Sequence, residues 1–128
     1  MRKKILVIDD EADIVELLCS RLHAEHYETV SAFDGEDGLS KFKAEMPDLV
    51  ILDLTMPHMN GLEVCRIIRR EEDNNTPIIM LTAKNTDIDR IVGRVRGADV
   101  YMTKPFDARA VISQVNMLLN HKKITKLT

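Results

Sequence analysis

ILVIDDE, at residues 5–11, is the stretch that decides the fold. Its apolar residues form a continuous, mostly β-branched run, which is typical of a strand buried on both faces, and three acids follow at once. Two later apolar runs, at residues 49–52 and 78–81, stop in the same way at Asp53 and Thr82. These runs predict the central strands of a parallel sheet whose polar groups collect at one edge.

The segments between these runs carry apolar residues at helical spacing, separated by charges. We predict strands at residues 5–8, 28–33, 49–52, 78–81 and 100–103, with the more polar second strand at an edge. We predict a helix after each strand, the second at residues 35–45 and the fourth at about 86–96. In chain order, the residues predicted to face the sheet are Ile14, Leu17, Leu18 and Leu22 in the first helix; Leu39 and Phe42 in the second; Leu62, Val64, Cys65 and Ile68 in the third; Ile88, Ile91, Val92 and Val95 in the fourth; and Val111, Val115, Leu118 and Leu119 in the last. This alternation favours an α/β fold with helices on both faces of a parallel sheet.

The bulk composition is that of one ordinary domain. The chain has 128 residues, and we assign residues 1–121 to the domain and residues 122–128 to a basic tail or the start of a linker. Its net charge of −3 argues against broad nucleic-acid binding. Cys19 and Cys65 lie among apolar residues and are expected to be buried, reduced thiols. No apolar run is long enough for a membrane span, so we expect a cytoplasmic protein without a membrane partner.

Polar residues stand at the carboxyl ends of the predicted strands, where ligands of open parallel sheets bind. These ends supply Asp9, Asp10, Asp53, Thr82 and Lys104. Three crowded carboxylates repel one another unless a divalent cation and the lysine neutralise them. Hard oxygen ligands of this kind suit Mg²⁺, which keeps positions open for phosphate oxygens.

The same set of groups predicts a phosphoryl transfer. The Asp53 carboxylate is expected to attack a phosphorus atom and form an aspartyl phosphate, while Mg²⁺ and Lys104 stabilise charge on the phosphoryl oxygens. An unperturbed Asp has a pKa of about 3.9, so Asp53 is expected to be ionised at neutral pH without a general base.

The chain resembles the receiver domains of two-component response regulators along nearly its whole length. The motifs that carry the resemblance are ILVIDDE at residues 5–11, ILDLTMPHMNG at 51–61, IIMLTAK at 78–84 and GADVYMTKPF at 97–106. The resemblance implies a flavodoxin-like, doubly wound (βα)5 fold, similar to that of the chemotaxis regulators, with strand order 2-1-3-4-5.

The resemblance also implies a metal site. Asp10 would be a direct ligand, Asp53 would be both a ligand and the phospho-acceptor, and the backbone carbonyl of Thr55 would supply a further contact. Asp9 would act mainly through water. Mg²⁺ is the expected ion, and Mn²⁺ is expected to substitute for it.

The phosphoryl group and the switch would depend on the later strands. Thr82 would bond to a phosphoryl oxygen, and Lys104, aimed by a cis bond to Pro105, would pair with the phosphate. Tyr101 would rotate inward when Thr82 moves. The surface expected to change comprises the predicted fourth helix, the fifth strand and the last helix.

The resemblance implies a signalling phosphoprotein rather than an enzyme, one that catalyses only its own phosphoryl transfer and slow autodephosphorylation. The expected donor is a sensor histidine kinase or a phosphotransfer protein. The output is an unknown effector domain or downstream protein, and the domain itself is not expected to bind nucleic acid.

Two positions depart from the pattern of the winged-helix transcription-factor subfamily. Val100 stands where those proteins usually have an acid, and Val95 where they often have another. The last helix also lacks the arginine that they commonly expose. These charges join two receivers in that subfamily, so the sequence argues against that dimer and favours a different output, a different interface or a stand-alone receiver.

Three alternatives fit the sequence less well. A flavin phosphate would be repelled by the acids that follow the first strand, and an aspartyl-phosphate phosphatase would need a second acid two residues after Asp53, where Thr55 stands. A receiver-like module that binds partners without phosphorylation stays open, although such modules lose site residues that this chain keeps.

Overall fold

The computed structural model describes residues 2–72, 75–83 and 97–127. The predicted fourth helix, with its stripe of Ile88, Ile91, Val92 and Val95, lies outside the described residues. Lys84, the last residue of the third motif, also lies outside the described residues. The predicted departure from the winged-helix subfamily at Val95 is therefore not described by the structure.

Five parallel strands form one sheet in the order β2-β1-β3-β4-β5. The strands are β1 (Lys4–Ile8), β2 (Glu28–Ala32), β3 (Leu49–Asp53), β4 (Ile78–Ala83) and β5 (Val100–Lys104). This confirms the predicted order and the edge position of the second strand. Strands β3, β4 and β5 run slightly further than predicted, so that Asp53, Thr82 and Lys104 belong to the strands themselves.

The described helices are α1 (Ala12–Ala24), α2 (Gly35–Glu45), α3 (Gly61–Ile67) and a C-terminal helix (Ala108–Leu127), and a π-helical turn (Ile68–Glu72) follows α3. The side chains of Asp34 and Asn60 accept hydrogen bonds from backbone N–H groups and so cap α2 and α3. No sequence pattern predicts the π-helical turn. The C-terminal helix continues to Leu127 and so includes residues 122–127, which we assigned to the tail. The division of the chain at residue 121 stays a prediction.

The core has two layers, one on each face of the sheet. Side chains alternate along β1, so Leu6 and Ile8 pack with α2 and α3, whereas Ile5 and Val7 pack with α1 and the C-terminal helix. Most of the predicted inward residues lie in these layers. Leu17 was predicted inward wrongly, because 42% of its surface is exposed and Val15 takes its place in the core.

Cys65 is buried and Cys19 is partly buried, and both are free thiols. Among the described residues, no helix is long and apolar enough to span a membrane.

Candidate functional site

Neighbouring strands bring the predicted acidic residues together at the carboxyl edge of the sheet. Asp9 follows β1, and Asp53 ends β3, whose Leu52 pairs with Ile8 of β1. Carboxylate oxygens of Asp9, Asp10 and Asp53 lie within 4.8 Å of one another. Asp9 and Asp53 are almost wholly buried, whereas Asp10 is exposed at the mouth of the group. We call these three residues the acidic cluster.

Lys104, at the end of β5, supplies a positive charge beside the acidic cluster. Its Nζ lies 2.9 Å from Oδ2 of Asp9 and 3.4 Å from Oδ1 of Asp53. It also donates a hydrogen bond of 3.1 Å to Oε1 of Glu11. The peptide bond between Lys104 and Pro105 is cis, as expected. Three carboxylates therefore surround one ammonium group, and Asp10 of the acidic cluster adds a further acid, which leaves an excess of negative charge.

Backbone groups hold the two buried carboxylates in place. The N–H of Glu11 donates to Oδ1 of Asp9 at 2.9 Å, and the N–H of Thr55 donates to Oδ1 of Asp53 at 3.2 Å. Oδ1 of each carboxylate therefore accepts a hydrogen bond from the backbone N–H two residues later, which is a common local pattern for Asp in turns.

The ionisation of Asp53 differs from the sequence-based expectation. Burial, followed by the charge of Asp9, raises the pKa of Asp53 from 3.8 to about 7. Burial also raises the pKa of Asp9. Asp53 on its own is therefore only partly ionised at neutral pH, because its pKa depends on a desolvation that the sequence does not display.

Lys104 stays protonated in this environment. Burial by itself lowers the pKa of Lys104, but the close carboxylates of Asp9 and Glu11 and the nearby charge of Asp53 outweigh it, so the net pKa is raised. The lysine is thus a cation beside an Asp53 carboxyl group that is only partly ionised at neutral pH.

The residues of the acidic cluster fit a small divalent cation. Oδ2 of Asp9 is buried and lies at ion-pair distance from Lys104, yet it has no partner with hydrogen-bond geometry. A buried oxygen left in this way is costly unless another group satisfies it. All the donors are hard carboxylate oxygens, which is the chemistry that Mg²⁺ prefers.

Thr82 lies on β4, the strand next to that of Asp53, and Tyr101 lies on β5, one strand further out. Leu81 of β4 is the register partner of Asp53, so Thr82 stands one residue beyond it on the neighbouring strand. Thr82 is buried, and its Oγ1 donates a long hydrogen bond of 3.5 Å to the carbonyl oxygen of Met102. Tyr101 is half-buried and packs against the core layer of α2 and α3.

Glu11 is the residue of this site that the sequence analysis did not assign. It appeared there only as one of three acids after the first strand. The sequence signal for its presence in the site is its position two residues after Asp9, whose carboxylate accepts a hydrogen bond from the backbone N–H of Glu11.

Similarity to known proteins identifies the family of the chain. The profile of the response regulator receiver domain family matches residues 5–116. The chain belongs to this family. Receiver domains are the signalling input modules of two-component response regulators, and the acidic cluster is compatible with Mg²⁺ and phosphorylation in such a domain.

Individual receiver proteins agree with this assignment. The chain is 45% identical over 124 residues to the alkaline phosphatase synthesis transcriptional regulatory protein PhoP of Bacillus subtilis, a match that covers 97% of this chain and 51% of that protein. The chain thus spans about half the length of this curated relative.

Solved receiver domains have the same fold. A response regulator receiver domain protein (CheY-like) from Methanospirillum hungatei superposes with a TM-score of 0.89 at 26% identity, covering 98% of this chain and 99% of that one. The Francisella response regulator 1452 receiver domain gives a TM-score of 0.85 at 31% identity, covering 94% and 99%. The predicted flavodoxin-like fold is confirmed.

Proposed function

We propose that this receiver domain accepts a phosphoryl group on Asp53 in a Mg²⁺-dependent reaction. The observation that supports this most directly is the placement of Asp53, which is 2% exposed, among two other acids and 3.4 Å from the ammonium group of Lys104. The phosphoryl donor would be a phosphohistidine of a sensor kinase or of a phosphotransfer protein, within the cytoplasm.

In the proposed reaction, an oxygen of the Asp53 carboxylate forms a bond to phosphorus. The bond from phosphorus to the histidine nitrogen breaks, and that nitrogen keeps the electron pair. No proton has to leave Asp53 when it is ionised. Lys104 provides a positive charge where negative charge gathers on the phosphoryl oxygens.

Asp10, Asp53 and the carbonyl of Thr55 are the proposed direct ligands of Mg²⁺, with Asp9 acting through water and Mn²⁺ able to substitute. When bound, the ion would supply positive charge to the phosphoryl oxygens and to the acids. A positive charge at the acidic cluster would also lower the pKa of Asp53 and favour its reactive, ionised form.

After transfer, Thr82 and Tyr101 would report the phosphoryl group to the surface. The Thr82 hydroxyl exchanges its long hydrogen bond to Met102 for a phosphoryl oxygen, and Tyr101 rotates into the room that Thr82 leaves. The changed surface would include β5 and the C-terminal helix. It would signal to an effector that this chain does not identify, and the only reactions catalysed would be its own phosphorylation and slow dephosphorylation.

Intact-mass spectrometry after incubation with acetyl phosphate and Mg²⁺ tests the proposal. We expect the wild-type mass to increase by one phosphoryl group, and we expect no increase without the metal or in Asp53→Asn. Asp48→Asn is a matched control and should still be modified. Asp48 precedes β3, lies outside the acidic cluster and accepts a hydrogen bond from the backbone N–H of Lys4.

Equal modification of wild type and Asp53→Asn would contradict the choice of acceptor. No modification of the wild type under any of these conditions would instead favour the phosphorylation-independent interaction module.

A further inference from the structure

Lys104 directs its hydrogen bond to a residue outside the acidic cluster. Three carboxylates lie near its Nζ, at 2.9 Å for Asp9, 3.1 Å for Glu11 and 3.4 Å for Asp53. Of these contacts, the one with Glu11 has hydrogen-bond geometry, and Oδ2 of Asp9 has no such partner. The proposed phospho-acceptor is thus the most distant of the three neighbours.

The side chain of Glu11 is not used by the helix that it precedes. Glu11 occupies the N-cap position of α1, where a side chain often accepts a backbone hydrogen bond, but it makes no such bond. Its backbone N–H is fixed by Oδ1 of Asp9 at 2.9 Å. The backbone is therefore anchored beside β1, and the carboxylate is available to Lys104.

We propose that Glu11 is a positioning residue that holds the Lys104 ammonium on the β1 side of the site and competes for it with a phosphoryl group on Asp53. This inference rests on the proposed function. It follows because Lys104 has to leave Glu11, at least in part, in order to pair with a phosphoryl oxygen. A cation bound by the acidic cluster would compensate Asp9, Asp10 and Asp53 but would leave Glu11 in competition.

Glu11→Gln tests the competition, since it keeps the shape of the side chain and weakens its hold on Lys104. The probe is beryllofluoride, a tetrahedral analogue of the phosphoryl group, titrated at saturating Mg²⁺. We expect Glu11→Gln to bind it about 1.5-fold to fivefold more tightly than wild type, which is the range for an exposed ion pair. Uptake of phosphoryl from acetyl phosphate should become faster by a similar factor.

Asp13→Asn is the matched control, because Asp13 is an exposed acid in the first turn of α1 and is not among the described carboxylates that pair with Lys104. It removes the same charge near the site and should change beryllofluoride affinity much less. In a Lys104→Ala background, Glu11→Gln should lose its effect on phosphoryl uptake. A merely structural role of Glu11 would not depend on Lys104 in this way.

The outcomes separate the inference from the proposed function. If wild type takes up phosphoryl groups and Glu11→Gln behaves like Asp13→Asn, or keeps its effect without Lys104, only the role of Glu11 is overturned. If wild type neither binds beryllofluoride nor becomes phosphorylated, the proposed function fails, and the role of Glu11 fails with it.

Discussion

The carboxyl group of Asp53 binds a proton more tightly in the folded protein than in the unfolded chain, because burial and Asp9 raise its pKa from 3.8 to about 7. Between these two values the native state holds more protons than the unfolded state, so the free energy of unfolding decreases as pH rises. The loss is complete above the folded pKa and amounts to at most about 4 kcal/mol. The acid thus destabilises the metal-free domain at neutral and alkaline pH.

Asp53→Asn should remove this pH-dependent cost. In EDTA, we expect the variant to gain about 2–3 kcal/mol more in free energy of unfolding at pH 8 than at pH 5, relative to wild type. Urea denaturation at the two pH values measures this gain. Ser40→Ala, which changes an exposed residue without an ionisable side chain in this pH range, should show no pH-dependent difference. An equal gain at both pH values for Asp53→Asn would contradict the raised pKa.

At the scale of residues, the sequence predicted which groups meet but not how they behave. Asp9, Asp10, Asp53 and Lys104 follow apolar runs, and the ends of parallel strands share an edge, so their proximity could be predicted. The raised pKa of Asp53 could not, since it results from desolvation by the surrounding fold. The part played by Glu11 depends on the direction in which a lysine side chain points, which no sequence pattern specifies.

At the scale of elements, α3 approaches β3 more closely than a side chain allows. A Cβ atom on Gly61 would lie 2.3 Å from the carbonyl oxygen of Asp53 and 2.8 Å from Cα of Leu54. The N–H of Gly61 also donates to the carbonyl oxygen of Leu54 at 2.8 Å. The backbone φ of Gly61 is not positive, so the requirement for glycine comes from this close approach.

Gly61→Ala should therefore displace the start of α3 from the end of β3. We expect a loss of about 3 kcal/mol or more in the free energy of unfolding, because backbone atoms cannot yield as a flexible side chain can. Slower phosphorylation of Asp53 should accompany it. Chemical denaturation measures the stability, and Ser40→Ala on the exposed face of α2 serves as the control, with a change within about 0.5 kcal/mol. A Gly61→Ala variant as stable as wild type would show that the backbones of α3 and β3 can move apart here without loss of stability.

The elements were predictable where hydrophobic period and end signals agreed. The bounds of α2 match the prediction, because Asp34 caps its start and Pro47 follows its end. On α1, by contrast, Leu17 and Val15 both suit a helical stripe, and only the direction in which α1 crosses the sheet selects Val15. The π-helical turn Ile68–Glu72 has no distinct sequence pattern.

At the scale of the whole molecule, the proposed switch depends on Tyr101 of β5. Its register partner on β4 is Met80, two residues before Thr82, and its side chain packs on the layer that contains Leu6 and Ile8. In the proposed switch, a movement of Thr82 would change the position of Tyr101 on β5, and phosphorylation would favour one of two arrangements of this strand.

Tyr101→Ala should uncouple phosphorylation from this surface change. We expect phosphoryl uptake to stay close to that of wild type, because Tyr101 makes no contact assigned to the phosphoryl group. The change in hydrogen exchange of the C-terminal helix on binding beryllofluoride should be lost. Tyr101→Phe, which keeps the ring, is the control and should retain the change. Loss of phosphoryl uptake in Tyr101→Ala would contradict the assigned role.

Asp9, Asp53 and Lys104 stand at the ends of β1, β3 and β5, which are far apart along the chain but end at the same edge of one sheet. Their meeting requires long-range strand pairing, which forms late and as a unit in small domains. An incompletely folded copy would hold these three side chains apart. If Asp53 accepts a phosphoryl group as proposed, only molecules that have reached the native state would become phosphorylated.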